Sequence, residues 1–154
     1  MRFAYAAIAA FIAGGVAGWL WPAKAQPMLD VHGQHMPMDT PVPVGGVQAV
    51  CTGVGQGAEN DPRWQSFPIR LVFSNKGGQF LSGVHVELAA EGGKSLGSLD
   101  CDGPWVLLGV SSGTYRVSAT LLSQPGGGTA SATFTAPSSG QKRVELQFPL
   151  AQNQ

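Results

Sequence analysis

The feature that most narrows what this chain can fold into is alternation of period two. "PIRLVFS" (68–74) puts Ile69, Leu71 and Phe73 on one side, and "GVHVELA" (83–89) does the same with Val84, Val86 and Leu88, leaving His85 and Glu87 facing outward. "GTYRVSATLL" (113–122) alternates Tyr115, Val117, Ala119 and Leu121 with polar residues. "TASATFTA" (129–136) and "KRVELQF" (142–148) repeat the pattern. Such segments form strands with one buried and one wet face. "SLGSL" (95–99) and "WVLLGV" (105–110) are shorter candidates. Between them stand "NKGGQ", "EGGK", "DCDGP", "VSSG", "QPGGG" and "PSSGQ", each rich in turn formers. With 22 Gly and 11 Pro and no helical period after the N-terminus, the expectation is an all-β fold. It is a seven-stranded antiparallel β-sandwich over residues 47–150, with 151–154 as a tail.

The N-terminus reads as an export signal. Arg2 precedes an apolar run from Phe3 to Trp21, then Pro22 and "AKA" (23–25), which fits a small-x-small cleavage site. Residues 1–25 are therefore expected to be a signal peptide cut between Ala25 and Gln26. The alternative is a retained hydrophobic helix that anchors the chain by residues 3–21. That run is nearly long enough to span a bilayer, carries Gly14 and Gly18 at helix-pairing spacing, and ends in Trp19 and Trp21. Both readings put the rest of the chain outside the cytoplasm: periplasmic, or held at the inner membrane facing the periplasm. Membrane contact is expected only if the segment is retained.

Without Arg2 and Lys24, seven basic side chains face nine acidic ones. That balance gives no reason to expect a nucleic-acid partner. The remaining length suits one core rather than two.

Residues 26–46 hold four prolines and no apolar period, so they are expected to form a disordered leader. Within it, "VHGQHMPMD" (31–39) concentrates soft ligands: His32, His35, Met36 and Met38, with Met28 just before. Imidazole suits Cu(II) and thioether suits Cu(I), so a flexible copper site is one reading. A polar linker in which these residues fall together by chance is the other.

Cys51 and Cys101 are the two cysteines, without a CxxC motif. In an exported chain they are expected to form a structural disulfide, tying the segment before the first strand to the turn before "GPWVLL". Closing a loop of 50 residues corresponds to about 4 kcal/mol in the chain-entropy model.

A family resemblance rests on "GGQFLSGVHVEL" and "DGPWVLLGVSSGTYRVSAT". Gly78, Leu81, Val84, Val86, Asp102, Gly103, Trp105, Leu107, Val110, Gly113, Tyr115 and Val117 resemble the strand–turn–strand pattern of the carboxypeptidase regulatory-like domain. Upstream, "GVGQGAEND" (53–61) is similar to the lead-in of small exported bacterial members. The resemblance covers about residues 53–149 and implies a transthyretin-like (prealbumin-like) sandwich. It departs at "VSSGTY", where the family usually carries prolines, and it implies almost nothing about function.

No catalytic pattern emerges. GxSxG and HExxH are absent, "DCDG" (100–103) lacks the later ligands of a calcium loop, and no glycine-rich run joins a strand to a helix. The chain is therefore expected not to be an enzyme and to need no cofactor. It reads as an accessory or binding module that docks on an envelope protein or a carbohydrate. Exposed aromatics Trp64, Phe67 and Phe80 are the expected contacts. The copper-handling leader is the alternative function.

Overall fold

The computed structural model describes residues 33–123 and 128–150. The N-terminal segment 1–25, Met28, His32 and the tail 151–154 lie outside the described residues. No helix among the described residues is long and apolar enough to cross a membrane.

All seven expected strands form, and three more precede them. In chain order the strands are β1 (Gln34–His35), β2 (Val42–Val44), β3 (Val47–Thr52), β4 (Ile69–Ser74) and β5 (Val84–Ala90). β6 (Ser95–Cys101), β7 (Trp105–Gly109), β8 (Gly113–Leu121), β9 (Thr129–Ala136) and β10 (Lys142–Gln147) follow. They build two five-stranded sheets. Sheet A runs β1-β6-β5-β8-β9 and sheet B runs β10-β4-β7-β3-β2. The sheets are mixed rather than purely antiparallel, because β1 pairs with β6 and β10 with β4 in parallel. The reason is topological. β10 joins the edge of sheet B after the chain crosses over from β9, and β1 joins the edge of sheet A before the chain crosses to sheet B.

The alternating apolar residues meet between the sheets. Ile69, Leu71 and Phe73 from sheet B oppose Val84, Val86, Val117 and Phe134 from sheet A, all buried. Register follows the pattern: Val84, Val86 and Leu88 sit opposite Leu121, Ala119 and Val117. A slip of one residue would turn the whole apolar set of a strand to water. Tyr115 stacks on Phe134 at 5.7 Å, and its hydroxyl donates to the Ser111 carbonyl across the Val110–Gly113 turn at 2.8 Å.

Cys51 and Cys101 are bonded. Both lie within strands, β3 of sheet B and β6 of sheet A, rather than in a pre-strand segment and a turn. The disulfide therefore staples one sheet to the other inside the core.

The largest departure from expectation is the leader. Residues 33–46 are folded, so the sandwich does not begin at Val47. The Met36 N–H donates to the Asp100 carbonyl at 3.0 Å, at the edge of sheet A. Three residues on, the Asp39 N–H donates to the Cys51 carbonyl at 2.8 Å, at the edge of sheet B. Between these points the chain straps the open side of the sandwich. It drives Met36, only 1% exposed, into the core. β2 and β3 then form a hairpin through Gly45–Gly46, both at positive φ (56° and 84°). That is the geometry a two-residue hairpin turn demands. A Cβ at Gly45 would run into the Leu96 carbonyl. Pro43 is tolerated because β2 is an edge strand.

Sheet B carries a second, smaller core on its outer side. Residues 53–68, with a single helical turn at Gln56–Glu59 and a 3-10 turn at Trp64–Ser66, fold back over β7 and β3. Trp64 packs on Val50 and Leu107, with Phe67 beside it, while Ala58 covers Val72 and Trp105. The Gln141 side chain pins this cover by donating to the Trp64 and Phe67 carbonyls at 2.7 and 3.0 Å.

Candidate functional site

Among the described residues, segment 53–68 covers one outer face and no segment folds over the other. The outer face of sheet A is a regular polar grid. Ser98, Glu87, Ser118 and Ser131 form one row across β6, β5, β8 and β9. Ala89, Arg116 and Thr133 form the next, and Thr114 stands opposite Thr135 beyond it. Ser131 bonds Ser118 and Thr114 bonds Thr135, each at 3.3 Å. Such hydroxyl pairs are an ordinary means of joining strands. Small residues at Ala89, Gly93 and Gly97 leave two shallow open grooves beside Arg116, one bordered by Glu87 and Ser98, the other by Tyr115 and Thr133. Arg116 is exposed and makes no ion pair among the described residues. A basic group without an acid partner, set among hydroxyls, can accept a polar or anionic ligand without first giving up a protein contact.

At the β1 end of this face the grid closes over a buried, hydrogen-bonded pair. His85 and Asp100 are register partners on β5 and β6, with Nδ1 and Oδ1 2.7 Å apart. The Gly33 N–H donates to the same Asp100 oxygen at 2.9 Å. His85 Nε2 faces Glu87 at 3.4 Å. The expectation that His85 is wet is therefore corrected: it is 8% exposed, held between two carboxylates. Alternation assigns a residue to a sheet face, but it does not say what else lies on that face. Each ring nitrogen faces a carboxyl group, and among the described residues no serine, threonine or cysteine side chain bonds to either.

The soft-ligand motif is distributed rather than gathered. Met36 is in the core. Met38 is half-buried against the disulfide, its sulfur 3.4 Å from Cys51 Sγ. Neither cysteine sulfur carries a hydrogen, so this contact is packing. His35 is exposed at the strand edge, 3.5 Å from the Asp102 carboxylate. His32 lies outside the described residues. Among the described residues, no three His, Cys, Asp or Glu side chains are grouped to hold a metal ion.

The aromatic contacts are likewise redistributed. Trp64 is 2% exposed and forms the cover of sheet B, with Phe67 packed against it at 6.2 Å. Phe80 alone of the three is open, 52% exposed, with its edge toward Trp105 at 6.2 Å. Trp105 is buried behind Pro104 at the start of β7, and the Arg70 guanidinium lies 4.6 Å over its ring. The Trp105 Nε1 and Arg70 Nε donors are buried without a hydrogen-bond partner among the described residues. Between the sheets, Val44, Val47, Leu88 and Leu96 line an apolar crevice of about 10 Å³, too small for a ligand.

The polar grid is the feature that sequence reading missed. Its signal was present as the polar half of each alternation, Thr129, Ser131, Thr133 and Thr135 on β9 above all. What alternation could not reveal was that residues 53–68 would cover the outer face of sheet B and not that of sheet A.

No family model matches the chain, and no curated protein matches it. Among solved structures, the C-terminal fragment of the pilus adhesin SpaC from Lactobacillus rhamnosus GG is similar over 58% of this chain and 47% of that one, at 15% identity and a TM-score of 0.28. The similarity spans less than half of that fragment and is too slight to say what this chain does.

Proposed function

We propose that this chain is an exported, non-catalytic docking module that meets an envelope protein or an envelope polysaccharide through the outer face of sheet A. The observation that carries the reading is the bare hydroxyl grid around Arg116, on the one outer face that residues 53–68 do not cover. The buried disulfide supports an oxidising compartment outside the cytoplasm. The carboxypeptidase regulatory-like resemblance is consistent with this role. Val84 and Val86 lie in the core, Asp102 and Gly103 in the turn before β7, and Tyr115 braces the turn before β8. The disposition of His35, Met36 and Met38 lends no support to copper handling.

The test uses charge reversal on each face. Arg116→Glu and Arg143→Glu both alter exposed arginines, the first on sheet A and the second on β10 of sheet B. After mild cross-linking in the native envelope, the parent should carry a stoichiometric protein or glycan adduct. Arg116→Glu should lose most of it and Arg143→Glu should keep it. Equal retention by both variants would place the contact elsewhere.

A further inference from the structure

A sheet edge is a row of backbone donors and acceptors, and an uncovered edge pairs with whatever strand reaches it. This sandwich has four edges, and three are blunted. β1 is two residues long. β2 is three residues long and contains Pro43. β10 carries Lys142, Arg143 and Glu145 among its six residues. β9 has none of these devices. Its eight residues, "TASATFTA", include no charge, no proline and no glycine. Among the described residues it is hydrogen-bonded only to β8, with β10 of sheet B close by. No backbone hydrogen bond joins its outer side to another segment among the described residues.

We infer that β9 pairs with β9 of a second copy of this chain, antiparallel about a twofold axis, merging the two A sheets into one ten-stranded sheet. The strand is complementary to itself. Thr129, Ser131, Thr133 and Thr135 are exposed on one face, and Ala130, Phe134 and Ala136 are buried on the other. An antiparallel register that sets Ser131 opposite Thr133 or Thr135 of the other copy matches hydroxyl with hydroxyl and apolar with apolar. The same hydroxyl pairing already joins β9 to β8. Without charge on either strand, no repulsion opposes the match. A partner strand from a different protein would need the same neutral, small-residue pattern, which this chain itself supplies. Because β9 is the one long open edge among the described residues of each copy, pairing closes at two and does not propagate.

The experiment is sedimentation velocity of the exported protein across the micromolar range, beside the double variant Ser131→Lys, Thr133→Lys. Both positions are exposed, so the fold of one copy tolerates lysine there. The parent should show twice the one-chain mass and the variant the one-chain mass, with circular dichroism and melting temperature of the dissociated form unchanged. A second variant, Thr114→Lys, adds charge to β8 on the same face but off the edge and should remain dimeric. A parent of one-chain mass throughout, a double variant that stays dimeric, or assemblies larger than two would each overturn the inference.

Discussion

The two outer faces of this sandwich start from the same strand chemistry and end differently. On sheet B, the outward residues of β3, β4 and β7 include Val50, Val72, Trp105 and Leu107. On sheet A, the outward residues of β5, β8 and β9 include Glu87, Arg116, Ser118, Ser131 and Thr133. An apolar outer face must be covered, and residues 53–68 cover it. A polar outer face needs no cover and is free to serve. Among the described residues, the long irregular segment 53–68 therefore lies on sheet B. The lesson is that an apolar residue at an outward position of a strand forecasts a second layer, and runs of Ser and Thr there forecast an open surface.

The strongest way to break this contrast is to remove the cover. Trp64→Ala deletes the largest side chain of the outer layer, which is 2% exposed against Val50 and Leu107. The expected loss is about 3–5 kcal/mol of unfolding free energy, the usual cost of truncating a buried tryptophan. Urea titration measures it. A loss within the range of ordinary surface substitutions, roughly 0.5 kcal/mol, would mean that residues 53–68 rest on sheet B without stabilising it.

The strap gives the next largest effect, and it tests whether residues 33–46 belong to the fold. Met36→Ala should cost about 2–5 kcal/mol, because the side chain sits in the core and the sheets cannot close the gap it leaves. A melting temperature equal to the parent's would return this segment to the status of a leader.

These two segments show why part of the structure was legible and part was not. Five of the seven expected strands were readable because burial on one face writes a period-two pattern into each of them, whereas β6 and β7 read only as shorter candidates and β7 is buried on both faces. The cover writes no such pattern, and the strap writes a broken one. Met36, Met38, Val42 and Val44 keep a two-residue step, but Thr40 interrupts it and Pro37, Pro41 and Pro43 stand between them, and their burial is decided by strands that come later in the chain. Trp64 and Ala58 are single apolar residues in an irregular segment, and only the apolar back of sheet B makes them interior. The candidate surface was half legible. Its hydroxyls are visible in the alternation of β8 and β9, but the shelter of His85 comes from Asp100 on another strand, which no local reading connects.

The smallest expected effect concerns the one exposed ion pair of the cover, and it sharpens the contrast between the two faces in charge as well as packing. Asp61 holds Arg63 at 2.7 Å, and the guanidinium lies 4.5 Å over the Trp64 ring. On sheet A, Arg116 has no such acid. The side-chain hydrogen bond from Arg63 is the main reason that the Asp61 carboxyl sits below its ordinary value, and the Arg63 backbone N–H adds to it. A carboxyl with a lowered folded-state pKa contributes stability above its unfolded value, roughly pH 4, and that contribution disappears as pH falls through the folded value. Asp61→Asn should therefore melt slightly below the parent at neutral pH, and the two curves should converge in acid. Arg63 is largely exposed and Asp61 partly so, so the gap should also shrink with added salt. Differential scanning calorimetry of both proteins across the acid range gives the answer. A gap that persists unchanged below the carboxylate range would show that Asp61 acts by shape, as the hydrogen-bonded turn that presents Arg63 to Trp64, and not by its charge.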